Sequence, residues 1–241
     1  MRKYSRFLLF VYIVVPFVYF GCKSGSDNEE YEPPTENRTP DNTTTDTNVT
    51  PTDPVSDIDG NVYLTVAIGN QVWIAKNLQV TKFRDGTSIA NITSDEEWSE
   101  LTTPAFRYGS HGLLYNGYTI VNGDLCPEGW HLPTDAEWAA LIATVGGKDV
   151  AGGKLKESGT TNWSAPNVGA TNEYRFTALP GGLFFIDGSF KNLGLVGYWW
   201  SASEGTPDEL TSVAMTNDKE GIDAGGGSLP KLGLSCRCVK D

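Results

Sequence analysis

Basic and imidazole side chains are scarce in this chain of 241 residues, which has 18 Lys plus Arg and two His against 30 Asp plus Glu, for a formal charge of −12. That balance excludes a nucleic-acid binder that works by neutralising phosphates. The sequence has no P-loop, no dinucleotide fingerprint, no nucleophile elbow, and no Cys or His cluster at zinc-ligand spacing. Long apolar runs are also missing. The single one, Phe7 to Phe20, covers about 14 residues where a bilayer-crossing helix needs roughly 20, so a multi-span membrane protein is excluded. Collagen-like and coiled-coil readings fail on composition. The chain does hold 27 Gly, 13 Pro and seven Trp, which point to a turn-rich, aromatic-rich β structure rather than a helical bundle.

Arg2, Lys3 and Arg6 precede the apolar run, Pro16 interrupts it, and Gly21-Cys22 closes it. This is the layout of a secretory signal peptide, assigned to residues 1–21. The small residue before Cys22 resembles the lipobox of bacterial lipoproteins, in which cleavage leaves a lipidated cysteine as the first residue. An ordinary cleaved signal with a leftover thiol is the other reading. Acyl chains on Cys22 would make the membrane a partner, each buried methylene contributing ~0.8 kcal/mol. Residues 22–54 are rich in Thr, Asn, Asp, Glu and Pro and carry few large apolar side chains, so they are expected to form a disordered, solvated tether. Asp27, Glu29, Glu30 and Glu32 resemble the export signal behind the lipidated Cys of surface lipoproteins in Bacteroidota; a solubilising spacer is the alternative. The expected location is the outer membrane, facing outward.

A folded body is expected over residues 55–241. Val62–Ile68 and Gln71–Ile74 are β-prone runs separated by Gly69-Asn70, which predicts a hairpin with a two-residue turn. Ser94 and Glu97 before Trp98 and Leu101 predict a short helix. Thr134 and Glu137 form a second capping signature. Trp138, Leu141, Ile142 and Val145 follow at helical spacing and Gly146-Gly147 stop the pattern, predicting a helix from Asp135 to Val145. Short strands are expected at Phe176–Leu179, Leu183–Ile186, Val196–Ser201, Val213–Met215 and Leu232–Val239. The sum is an α+β arrangement, two short helices with a loop-rich antiparallel β portion.

Several stretches are similar, in order, to blocks of the Fibrobacter succinogenes major paralogous domain. They are Asp57-Ile-Asp-Gly-Asn-Val-Tyr63, Ile68-Gly-Asn-Gln-Val-Trp-Ile-Ala-Lys-Asn-Leu78 and Leu125-Cys-Pro-Glu-Gly-Trp-His-Leu-Pro-Thr-Asp-Ala-Glu-Trp138. Gly152-Gly-Lys-Leu-Lys-Glu157, Phe176-Thr-Ala-Leu-Pro-Gly-Gly182, Gly197-Tyr-Trp-Trp-Ser-Ala-Ser203 and Cys238-Val-Lys-Asp241 continue the series. The resemblance implies a C-type-lectin-like fold shared with formylglycine-generating enzymes. It also implies a disulfide between Cys126 and Cys238, with Cys236, at a position usually apolar in the family, a buried free thiol; a Cys126 to Cys236 bridge is the alternative. Formylglycine-generating enzymes use two active-site cysteines at a wider spacing than Cys236-x-Cys238, so no catalytic pair and no enzyme is expected here.

Other chemistry is thinly signalled. His131, beside a helix start, is read as hydrogen-bonded to backbone, and His111 lacks a triad-like context. Asp218, Glu220 and Asp223 surround Gly221 as hard cations such as calcium favour, although an exposed turn has the same composition and the calcium-dependent sugar motifs of true C-type lectins are absent. No other cofactor is expected. Trp163, Tyr174, Phe184 and Tyr198 are the loop aromatics expected to face a ligand, whereas Trp130, Trp138 and Trp199 are read as core. The expected function is a surface-exposed lipoprotein carrying a non-catalytic binding or adhesion module for an extracellular glycan or protein. A structural or assembly subunit of a cell-surface complex is the alternative, and an enzyme related to formylglycine-generating proteins stands behind both.

Overall fold

The computed structural model describes residues 50–203 and 210–241; the signal segment, Cys22 and most of the expected tether lie outside them. In chain order the described elements are β1 (Thr50–Ser56), β2 (Val62–Ile68), β3 (Gln71–Ile74), β4 (Ala90–Asn91), α1 (Asp95–Glu100), β5 (Ala105–Gly109), β6 (Gly112–Asn116), α2 (Gly117–Asn122) and β7 (Trp130–His131). They continue as α3 (Asp135–Thr144), α4 (Ala151–Leu155), β8 (Leu183–Phe184), β9 (Phe190–Lys191), β10 (Val196–Trp200), β11 (Leu210–Thr216), β12 (Ile222–Ser228), β13 (Gly233–Leu234) and β14 (Val239–Lys240). Three sheets result, ordered β1-β2-β3-β14-β7, β4-β5-β6-β13-β8-β9 and β10-β11-β12. Pairing is antiparallel except between β4 and β5. The architecture is mostly β with short helices.

The predicted hairpin forms with Ile68 opposite Gln71, and Gly69 alone takes the positive φ (61°) at the turn, the pattern of a type II′ connection. The folded body begins earlier than composition suggests. β1 includes Pro51 and Pro54, yet it pairs with β2 because it is an edge strand, where a missing N–H is tolerated, and its register shifts between Thr52 and Val55.

Four helices are present among the described residues where two were expected. Ser94 caps α1 by accepting from Glu97 N, and Thr134 and Glu137 cap α3 reciprocally. The other two have weak intrinsic propensity. α2 starts at Gly117 and is held by Asn116, whose side chain accepts from Thr119 N. α4 contains Gly152 and Gly153 because a Cβ at either would collide with the carbonyl of Gly221 or Gly169.

The expected strand at Phe176–Leu179 does not form, and only Ala178 makes a bridge, to Lys156. Arg175 and Thr177 have positive φ (51° and 54°), and the carbonyls of Phe176 and Thr177 turn to accept from the Arg237 guanidinium. Leu232–Val239 likewise divides into β13 and β14, with Cys236, Arg237 and Cys238 between them.

One core cluster gathers Trp73, Trp138 and Phe176, with ring centroids 4.9 Å apart for the two indoles. A second gathers Tyr63, Tyr115, Trp130 and Trp200 around the cysteines. Cys126 and Cys238 are bridged, with Cα atoms 5.9 Å apart, and Cys236 is a buried free thiol. Between the clusters lies Asn77, fully buried. Its Nδ2 donates to the His111 carbonyl and Ser235 Oγ (both 3.1 Å), and its Oδ1 accepts from Trp199 Nε1 (2.9 Å) and Arg237 Nε (3.2 Å). All four hydrogen-bonding positions of this amide are filled.

Candidate binding cleft

Three of the four aromatics expected to face a ligand are core residues. Trp163 and Phe184 are fully buried and Tyr174 is 6% exposed. Trp163 Nε1 donates to the Ala178 carbonyl (2.9 Å), Phe184 packs edge-on against Trp98 (5.0 Å between centroids) under the Arg107 guanidinium, and Tyr174 packs with Phe176 in the first cluster. Their Gly-rich surroundings read as exposed loops, but those loops cross the core. Tyr198 is half-buried, and its hydroxyl accepts from Asn192 Nδ2 (2.9 Å).

The acidic loop does not assemble a cation site from Asp218, Glu220 and Asp223. Asp218 accepts from Thr216 Oγ1 (2.6 Å), Glu220 packs against Gly169, and Asp223 stands exposed on β12 opposite Ala214. Among the described residues no three His, Cys, Asp or Glu side chains gather at metal-binding distances. The cation this loop wraps is the chain's own Lys156, whose ammonium donates to the carbonyls of Val168 (3.0 Å), Thr216 (2.8 Å) and Lys219 (2.8 Å). Burial lowers the lysine pKa to about 8 against the opposing pull of Asp218 and Glu220.

His131 bonds to carboxylates rather than to backbone. Its Nδ1 lies 2.6 Å from Asp241 Oδ1 and its Nε2 2.7 Å from Glu137 Oε1, so one ring joins the α3 cap to β14's end. Burial disfavours the charged ring, but the hydrogen bonds to Asp241 and Glu137 outweigh it and raise the pKa. Burial likewise opposes ionised Glu137, and the hydrogen bonds from Thr134 and His131 win and lower it. The histidine contribution is complete below the ordinary imidazole value of 6.5 and lost as pH rises through the raised one. The Glu137 contribution is present above 4.5 and lost as pH falls through the lowered value. His131→Gln is therefore expected to lower the melting temperature most near about pH 5.5 and least near about pH 8.5. A pH-independent difference between the two melting curves would contradict this.

The surface feature with unspent binding chemistry is a cleft of about 450 Å³ between the β1–β2 loop, the segment after β3 and the β5–β6 turn. Asp57 shapes the first wall: Oδ1 accepts from the backbone N–H of Asp59 (3.0 Å) and Asn61 (2.9 Å), and Oδ2 from Asn61 Nδ2 (2.9 Å) and the Tyr63 hydroxyl (2.7 Å). The same Tyr63 hydroxyl accepts from Gln79 N (2.9 Å), which fixes the floor. Asp59 Oδ2 accepts from Thr81 N (2.6 Å) and Thr81 Oγ1 (2.8 Å), and Oδ1 pairs with Lys82 (3.0 Å). Burial is the largest single influence and opposes the Asp59 charge, but the Thr81 and Lys82 contacts together prevail and hold its carboxyl below the usual value. On the other wall Tyr108 is 65% exposed, its ring braced edge-on by Phe106 at 5.7 Å. Among the described residues the Gln79 amide and the Ser110 hydroxyl make no side-chain hydrogen bond, so both are free to meet a ligand.

A larger cleft of about 680 Å³ between Phe83 and Asp124 has less to offer. Arg84 there is committed to the carbonyls of Cys126 and Trp130 and to Asp124, and Asn122 to the Tyr118 carbonyl. Sequence reasoning passed over Tyr108 because Tyr108-Gly-Ser-His-Gly112 drew attention to its histidine. The usable signal was an aromatic two residues after core Phe106, at a strand's end beside a Gly-Ser turn.

A family model described as the Fibrobacter succinogenes major domain matches residues 66–240, which include Gln79, Thr81, Tyr108 and Ser110 but not Asp59 or Asn61. No curated protein and no solved structure matches the chain. Among the described residues no helix is long and apolar enough to cross a membrane.

Proposed function

The chain belongs to the Fibrobacter succinogenes major domain family, and from its cleft we propose a non-catalytic module that binds an extracellular glycan, displayed at the outer membrane surface by a lipid on Cys22. The observation that carries this reading is the exposed Tyr108 ring standing beside the unspent Gln79 amide and Ser110 hydroxyl. A sugar offers an apolar C–H face to an aromatic ring and hydroxyls to amides and carboxylates. The non-catalytic part is supported by the cysteines. Two are bonded to each other, and burial pushes the Cys236 thiol well above its ordinary pKa, so among the described residues no reactive pair of the formylglycine-generating kind remains. A C-type-lectin-like fold belongs to the same reading, supported by the family and by short helices set among curled antiparallel sheets.

A second reading, an assembly subunit, is favoured by exposed Phe190 on β9 and Leu193 and Leu195 in the segment from β9 to β10. A glycan array probed with the purified chain separates the two. Binding to a sugar supports the module, and Tyr108→Ala is then expected to weaken it about tenfold, or about 1.4 kcal/mol, while stability changes by less than about 0.5 kcal/mol. Unchanged affinity in that variant would remove the cleft from the binding surface.

A further inference from the structure

Resting on the glycan reading, we infer that the cleft sorts its ligands by charge, admitting neutral hydroxyl- or acetamido-bearing sugars and turning away uronates and sulfated sugars, with Asp59 as the specificity-determining residue. Asp59 is the one charged residue among those lining the cleft; the rest are Asn61, Gln79, Thr81, Ser110, Tyr108, Leu113 and glycines. Among the described residues no Lys or Arg lines the cleft. Lys82 sits on Asp59 Oδ1 at 3.0 Å and does not line the cleft. Asp57 stands behind the same wall, so the loop carries two carboxylates against this single ammonium.

Arg84 lies on the far side of the same loop, in a separate pocket with Asp57, where it is committed to the carbonyls of Cys126 and Trp130 and to Asp124, and the other titratable neighbours add no positive charge. His111, next to Ser110, has its pKa lowered by burial, with Glu157 opposing, so it is neutral at pH 7. The Tyr63 hydroxyl is held protonated by burial and by the Asp57 carboxylate. Asp59 keeps its charge across the neutral range, and the chain's formal −12 adds a long-range field of the same sign. An ionised sugar acid entering the cleft meets a fixed like charge. A neutral sugar meets a carboxylate edge able to take its hydroxyl protons in charge-assisted hydrogen bonds, with the Gln79 amide and Ser110 hydroxyl at hand.

The test is calorimetric titration of the full-length chain with cellohexaose, mannohexaose and chitohexaose as neutral probes and hexagalacturonate and hexaguluronate as acidic ones. At low salt the best neutral probe is expected to bind at least about fivefold more tightly than either acid. About 1 M salt, with a Debye length near 3 Å, should shrink that ratio toward one by strengthening the acids. Asp59→Asn keeps an acceptor for Thr81 and should lower the ratio. Lys82→Gln leaves Asp59 in place and should raise it, and opposite signs in two variants cannot come from misfolding. An acid bound as tightly as the neutral probes, or a ratio indifferent to both substitutions, overturns the inference and leaves the glycan reading standing. Silence from all five probes overturns both.

Discussion

Reducing the Cys126–Cys238 bridge is expected to cost the protein about 4–5 kcal/mol of stability, because the closed loop is long: the two residues are 112 apart in sequence. An unfolded chain released from such a loop gains much conformational freedom, while the folded state changes little. The bridge also joins β14 to the segment leading into β7, where Asp241 N donates to the Gly129 carbonyl (3.0 Å), so its loss loosens the closing edge of the first sheet. Against a typical total of about 5–15 kcal/mol, the expected loss is a large fraction. Guanidinium unfolding with and without reductant measures it, and a difference below about 1 kcal/mol would show that the bridge is incidental to the fold.

Arg237→Ala is expected to cost about 3–5 kcal/mol. The guanidinium is fully buried over the Phe176 ring, 4.2 Å from its centroid, and its acceptors are the carbonyls of Ile74 (3.3 Å), Phe176 and Thr177 (2.8 Å) together with Asn77 Oδ1. Among the described residues no carboxylate shares this site; burial lowers the pKa to about 9, which still leaves the group charged at neutral pH. Truncation strands two carbonyls in the core and a third, that of Thr177, at its margin, and frees the irregular segment from Arg175 to Leu179. Arg237→Lys should recover little, since an ammonium cannot fill a planar fork of donors reaching both Asn77 and Thr177. Urea unfolding of the two variants checks this, and near-wild-type stability in either would contradict the role given to the fork.

What could be read from the sequence was written locally or carried by spacing. The Gly69-Asn70 turn and the Thr134/Glu137 cap announce a hairpin and a helix through residues a few positions apart, and both form. The Cys126–Cys238 pair followed from the family resemblance. The structure departs where distant backbone decides. Gly152 and Gly153 are helical because neighbouring carbonyls leave no room for a Cβ, a reason absent from the local propensity. Nothing local in the sequence marks Arg237 and Lys156 as buried; the carbonyls that converge on them come from distant segments. The same holds for the candidate site. Trp163 and Phe184 read as loop aromatics and are core, whereas Tyr108 hid beside a histidine and faces solvent. Burial depends on what packs over a residue, and that cover comes from elsewhere in the chain.

The position of β14 constrains how the molecule is made. Val239 pairs with Trp73 on one side and His131 on the other, so the first sheet is completed only when β14 inserts between two strands that lie far earlier in the sequence. Contacts spanning over a hundred residues give the fold a high contact order. Folding should therefore be slow beside a helical domain of equal size, and all-or-none for the sheet.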